Sequence, residues 1–206
     1  YVIVDLCSGK GFFGVLVGHI LANATVVCMD KNKKINASHF DSCSNVAFHI
    51  VDIRAHKFSL SKWIRDEFSK YNKQRLVLFG THLCGELSQV VIDAFNELAD
   101  VCCALFLVPC CYPKKGNIVN EAKELGMDTM DYWIESLQKR VLMENDVLLQ
   151  CVKMNEMLSE KNHLIRVVRT KMYNKHKESE KNKKRIANHN TKTEPPTKKQ
   201  KASTDI

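Results

Sequence analysis

Short apolar stretches recur along the first half of the chain, separated by longer segments in which apolar residues return every three or four positions. Tyr1–Leu6, Thr25–Met29, Val46–Val51, Arg75–Phe79 and Val101–Val108 are rich in Val, Ile and Leu and predict strands. Between them, Phe12–Ala22, Ile64–Tyr71 and Leu87–Leu98 have helical spacing and polar faces. Apolar strands alternating with helices predict a parallel sheet covered on both faces. Beyond the fifth strand the pattern changes. Asp131–Leu142 predicts an amphipathic helix with Trp133, Ile134, Leu137 and Val141 on one side. Val147–Lys153 and His163–Thr170, joined by the polar stretch 155–162, predict an antiparallel hairpin. From Lys171 the sequence is polar and rich in Lys and Asn, with almost nothing to bury, which predicts disorder. The expected organisation is a folded domain over 1–170 and a basic tail over 171–206.

Composition narrows the class. Hydrophobic residues make up 45% and charged residues 26%, which excludes wholesale disorder of the chain. No apolar run reaches the roughly 18 residues that a spanning helix needs, so no membrane association is expected. Tyr1 lies in an apolar run with no initiator Met and no signal peptide before it, which predicts a piece of a longer protein cut just before its first strand. The net charge is +8, and the tail carries most of it. Residues 171–206 hold 11 basic and 4 acidic residues, a net of +7, which leaves +1 for residues 1–170. The body therefore gives no bulk sign of a nucleic-acid-binding face. Two basic clusters, Lys181–Arg185 and Pro196–Lys201, suit an import receptor or electrostatic contact with nucleic acid, the alternative being a solvated extension. The nine cysteines are odd in number and lie mostly in apolar runs, which argues against a disulfide framework and predicts a nuclear or cytoplasmic protein rather than a secreted one.

Three motifs carry candidate chemistry. The first strand runs into Asp5-Leu6-Cys7-Ser8-Gly9-Lys10-Gly11-Phe12-Phe13-Gly14 and then a helix. Gly9 and Gly11 would let the backbone approach a ligand, and Gly14 would let the helix pack on the strand. Gly9-x-Gly11-x-x-Gly14 also fits a dinucleotide fingerprint, and Asp30 at the end of the second strand suits ribose hydroxyls in either case. A carboxylate at Asp5 is badly placed beside a pyrophosphate and well placed for a cationic ligand. The third strand ends Ile50-Val51-Asp52-Ile53, with Asp52 at its tip.

Strand four ends Thr81-His82-Leu83-Cys84-Gly85, and strand five ends Pro109-Cys110-Cys111-Tyr112-Pro113. Both ends should flank one cleft. His82 could accept a proton from a substrate hydroxyl, or could merely tie its loop to strand five. Cys84, Cys110 and Cys111 raise a metal reading, but side chains of adjacent residues diverge on a regular strand, so no metal is expected. Cys84 and Cys110 loosely mimic the nucleophilic arrangement of cytosine C5 methylation. The bland alternative is small polarizable residues packing a narrow cleft floor.

The acidic residue and glycine-rich loop resemble the first motif of class I methyltransferases, with Cys7 where many members have glycine. The Thr81–Gly85 and Pro109–Cys111 segments and Leu158–Arg166 resemble one group within that class. It comprises tRNA acceptor-stem 2′-O-methyltransferases, related methyltransferase-like proteins and the methyltransferase domain of glutathione S-transferase C-terminal domain-containing proteins. The resemblance covers about residues 1–170. It implies a Rossmann-like α/β sheet of seven strands in the order 3-2-1-4-5-7-6, strand seven antiparallel, and an S-adenosylmethionine-dependent methyltransferase. Its cofactor residues would be Asp5 at the ligand amine, Cys7, Gly9, Gly11 and Gly14 in the loop, Asp30 at the ribose, and Asp52 with Ile53 at the adenine. His82, Cys84, Cys110 and Cys111 would be the catalytic candidates. The resemblance implies an RNA substrate, the ribose 2′-hydroxyl of tRNA first. The rivals are an inactive binding or partner protein, the cytosine C5 enzyme, and a nicotinamide-dependent oxidoreductase. The long insert typical after Pro-Cys-Cys is short here.

Overall fold

The computed structural model describes residues 1–71, 75–154 and 163–171. The chain divides into two units, Tyr1–Thr170 and Lys171–Ile206. The polar connector 155–162 and nearly all of the tail lie outside the described residues, and with them the expected tail disorder and most of the Leu158–Arg166 motif.

Thirteen stretches of regular structure build the first unit. In chain order they are β1 (Val2–Leu6), α1 (Phe12–Ile20), β2 (Thr25–Asp30), a 3₁₀ turn (Ser38–Ser42), β3 (Val46–Ile50), α2 (Leu60–Ser69), β4 (Leu76–Cys84), α3 (Leu87–Glu97), β5 (Cys102–Cys111), α4 (Ile118–Glu124), α5 (Thr129–Arg140), β6 (Val147–Lys153) and β7 (His163–Arg169). The sheet order is β3-β2-β1-β4-β5-β7-β6. Strands β1 to β5 pair in parallel, and β7 runs antiparallel to both β5 and β6. This is the predicted topology.

Alternation along β1 sorts the two faces. Val2, Val4 and Leu6 enter the larger core, with Ile64, Ile92, Phe95, Trp133 and Leu137 from α2, α3 and α5. Ile3 faces the other way, into a smaller core with Val26, Cys28 and Phe40. Each large apolar side chain so buried contributes about 1.5–3 kcal/mol. On that second face α1 lies close to the sheet because Gly14 and Gly18 are buried against it. Phe13 of α1 stacks on Phe79 of β4, ring centroids 3.9 Å apart.

The elements differ from the predicted ones at their ends. Helix α2 starts earlier, where the Ser59 hydroxyl caps the Lys62 amide at 3.3 Å. Helix α5 starts at Thr129, where Asp128 Oδ1 accepts from the amides of Met130 and Asp131. The 3₁₀ turn and α4 have no counterpart in the sequence pattern; each is no longer than about two turns, too short to show a period. Strands β4 and β5 both run on through the segments expected to be loops, to Cys84 and Cys111. Among the described residues no helix is long and apolar enough to cross a membrane.

Candidate active site

The strand order reverses direction between β1 and β4, so the C-terminal ends of these strands frame a crevice. The loop Cys7–Gly11 fills one side of it. Cys7 (φ 55°), Gly9 (φ 56°) and Gly11 (φ 69°) all take the left-handed conformation. A cysteine therefore occupies a backbone position that favours glycine. The Ser8 amide donates to the Met29 carbonyl at 2.9 Å, and the Gly9 amide donates to Asp30 Oδ2 at 2.9 Å. The other carboxylate oxygen of Asp30 accepts from the Asn32 amide, also at 2.9 Å. The loop opens on a cavity of about 690 Å³ lined by Gly9, Phe12, Asp30, Asn32, Asn36 and His39, among others. That volume lies within the roughly 300–1,000 Å³ of small-molecule sites.

Asp5 sits under this loop, on the α1 face of β1. It is 1% exposed, and neither carboxylate oxygen reaches solvent or finds a hydrogen-bond partner. Burial raises its pKa to about 7; the Gly14 amide points toward it and eases the charge without closing a proper hydrogen bond, and Asp30 raises it further. The direct ligand contact expected for Asp5 is thus not open in this conformation. What the structure provides instead is a buried acid lacking a donor, directly beneath the glycine loop.

Gly11 of the loop and Gly14 of α1 are held to glycine by packing. A Cβ at Gly11 would drive into the ring of Phe40, so its missing side chain makes room for the 3₁₀ turn. A Cβ at Gly14 would strike Cys28 Sγ, so this glycine seats α1 on β2. Only at Gly9 is the space beside the Cα open. Ile53 is buried in the main core rather than presented to the cavity. Asp52 lies exposed in the turn after β3, its Oδ1 accepting from the Arg54 amide at 3.0 Å. Cys7 is half-buried, and burial pushes its thiol up to about 11.

Across the crevice, β4 and β5 each carry an irregularity. Thr81 pairs with Val108, Leu83 with Pro109 and Cys84 with Cys111, which leaves His82 extra on β4 and Cys110 extra on β5. His82 takes φ 58° and stands exposed. Among the described residues no hydrogen bond holds its ring, so the alternative role of tying the loop to β5 is not seen. Cys84 is exposed, Cys111 half-buried and Cys110 buried. The expected divergence of adjacent thiols fails although the strand continues. Cys110 Sγ lies 3.9 Å from Cys111 Sγ and 2.7 Å from Cys84 Sγ. Two bulged residues facing one partner residue present both side chains toward it. Burial and the Cys84 thiol push Cys110 up to about 12.

The sequence reading missed His39, Phe12, Asn32 and Asn36 as cavity-lining residues. His39 Nε2 hydrogen-bonds the Lys10 carbonyl at 2.6 Å and its ring stands 5.3 Å from that of Phe12. The signal for the wall was present in the Asx residues. Asp30, Asn32 and Asn36 each accept a hydrogen bond from the amide two positions on.

A family model described as "Methyltransferase domain" matches residues 1–115. The chain belongs to this methyltransferase domain family. No curated protein sequence matches it. Solved structures resemble it in fold. A candidate rRNA methylase from Clostridium thermocellum aligns at 13% identity and a TM-score of 0.50, over 81% of this chain and 85% of its own. A candidate methyltransferase from Streptococcus mutans, crystallised with SAH, aligns at 13% identity and 0.50, over 81% and 87%. The plantazolicin methyltransferase BamL, solved with a triazolic desmethylPZN analogue and SAH, aligns at 12% and 0.50, over 82% and 77%. At such identities these likenesses establish the methyltransferase fold. The present chain is a methyltransferase with its glycine loop at the topological switch point.

Proposed function

We propose that this methyltransferase moves the methyl group of S-adenosylmethionine to RNA, with the ribose 2′-hydroxyl of tRNA as the first candidate acceptor. The cofactor fits the residues present. Its amino group supplies the donor that the orphaned Asp5 carboxylate lacks, once the Cys7–Gly11 loop shifts to admit it. Asp30, at the cavity wall, keeps lone pairs free for ribose hydroxyls beyond its two backbone amides. Asp52, exposed one turn beyond β3, is available to the adenine amino group.

The observation that carries the acceptor chemistry is His82. An imidazole held outward on a left-handed bulge, at the strand end beside the glycine loop, suits a base that takes the proton of an attacking hydroxyl. Methyl transfer is an in-line displacement, so the protein mainly positions the acceptor and removes its proton. The near-neutral body gives RNA no broad basic face, which leaves electrostatic capture to the Lys-rich tail. A cysteine-nucleophile route to cytosine C5 is the second reading, suggested by the Cys84–Cys110 contact. It is weakened by Cys110, whose burial opposes thiolate formation.

The test is transfer of labelled methyl from S-adenosylmethionine into separated tRNA, other RNA and protein pools. Label in tRNA ribose, with His82→Ala slower by roughly 10²–10⁴-fold at unchanged cofactor affinity, is the expected result. Covalent trapping by RNA containing 5-fluorocytosine would favour the cysteine route instead. Cofactor binding with no transfer to any pool would mean a binding protein.

A further inference from the structure

Three thiols from two strands meet at the acceptor side of the crevice. The Sγ atoms of Cys84, Cys110 and Cys111 lie within 4.8 Å of one another, and all three cysteines are free. A packing role explains Cys110, which is buried, but not Cys84, whose side chain is exposed. The regular-strand argument against a metal no longer applies, because the extra residue on β5 turns Cys110 and Cys111 toward Cys84 together.

The geometry points to a metal site in which Cys84, Cys110 and Cys111 hold one Zn²⁺ ion, its fourth position open to the crevice. A donor set of sulfur alone selects thiophilic ions over Mg²⁺ or Ca²⁺. Zn–S bonds of about 2.3 Å in a tetrahedron separate the ligating sulfurs by about 3.8 Å. Cys110 and Cys111, 3.9 Å apart, already meet that spacing. Cys84 is 2.7 Å from Cys110 and must swing away by about 1 Å. It can do so, since it is exposed at the last residue of β4. Three thiolates around a dication leave one net negative charge, and the exposed Lys114 and Lys115 follow at once in the chain. Three protein ligands with an open fourth position are the pattern of zinc sites that bind a water or a substrate atom rather than only brace a fold. The Cys84 thiol also reaches the His82 carbonyl at 3.4 Å, so the open position lies at the same strand end as the imidazole.

The test titrates the reduced, metal-stripped 206-residue chain with Co²⁺, the spectroscopic stand-in for Zn²⁺. One equivalent is expected to bind with intense sulfur-to-cobalt charge-transfer absorption and tetrahedral d–d bands, both bleached by equimolar Zn²⁺. Cys84→Ser, Cys110→Ser and Cys111→Ser should each lose that spectrum, whereas Cys151→Ser on β6 should keep it. Far-UV circular dichroism checks folding. Cys84→Ser alters an exposed side chain only, and it decides the matter if a buried variant fails to fold. A fully reduced chain without charge-transfer absorption, or a spectrum that survives Cys84→Ser, overturns the site. The readout needs neither methyl donor nor acceptor, so it stands or falls apart from the RNA reading.

Discussion

Asp30 Oδ2 accepts the Gly9 amide at 2.9 Å and so fastens the glycine loop of β1 to the end of β2. The same carboxylate holds the Asn32 amide on its other side, and thereby shapes both walls of the cavity. Asp30→Ala frees both amides, while Asp30→Asn keeps one acceptor. Calorimetry should rank S-adenosylmethionine affinity as wild type, then Asn, then Ala. The Ala variant should be weaker by about ten-fold or more, because a hydrogen bond to a charged group contributes about 1.5–3 kcal/mol. Equal affinities would mean that Asp30 meets neither loop nor ribose in the complex.

The orphaned acid below the loop makes stability depend on pH. Asp5 has a pKa of about 7 in the fold against 3.8 as a free carboxyl. Between those values the native chain holds a proton that the unfolded chain has released, so stability falls as pH rises from about 4 to about 7. The loss is about 4 kcal/mol at most. Asp5→Asn removes the ionisation and should flatten this slope, leaving the variant the more stable protein at about pH 8 in urea titrations. An ammonium ligand favours the ionised acid, so S-adenosylmethionine should bind wild type more tightly at about pH 8 than at about pH 6. The variant should bind weakly at both. A parallel pH slope in the two proteins would remove Asp5 from the account.

Gly14 and Cys28 form a pair that tolerates only one side chain. Gly14→Ala pushes a methyl into Cys28 Sγ. Overpacking costs about 1–3 kcal/mol, against at most about 1 kcal/mol gained in helix propensity. Adding Cys28→Ala should restore part of the loss, giving a coupling of about 0.5–3 kcal/mol in a denaturation cycle. Strict additivity would show that α1 moves instead.

Arg169 closes the far side of the core. It is 4% exposed, with its guanidinium 3.8 Å over the Phe95 ring and donating to the carbonyls of Cys102 at 2.7 Å and Phe95 at 3.1 Å. Arg169→Ala should cost about 3 kcal/mol or more, since two buried carbonyls lose a charged donor. Arg169→Lys should fall between, because an ammonium lacks the fork that serves both carbonyls. Thermal unfolding of the three proteins checks the order.

The strands were legible because buried parallel strands are nearly continuous apolar runs, as Val2–Leu6 and most of Thr25–Asp30 are, whereas their order followed only from the resemblance. Cys7 was legible as a glycine-like position and is one, at φ 55°. The function of Gly11 was not, because the Phe40 it accommodates comes from another element; for Gly14 the packing of helix on strand was legible, but not its partner, Cys28. Helix α4 left a usable trace in Gly126, whose left-handed φ of 67° ends the helix, with its amide on the Lys123 carbonyl and that of Met127 on Ala122. The bulges left none. Nothing in Thr81-His-Leu-Cys84 marks the histidine as the residue without a partner on β5.

Side chains on a strand alternate faces, and a bulged residue is an extra one in that count. Deleting His82 is therefore a different change from replacing it. Thr81 would then precede Leu83 directly, as their partners Val108 and Pro109 already adjoin, so β4 would lose its left-handed bulge while Leu83 kept its place in the core. Deleting Cys110 would likewise bring Cys111, the partner of Cys84, directly after Pro109, the partner of Leu83. The two extra residues stand outside the regular ladder, where a reactive side chain is presented without disturbing the pairs on either side.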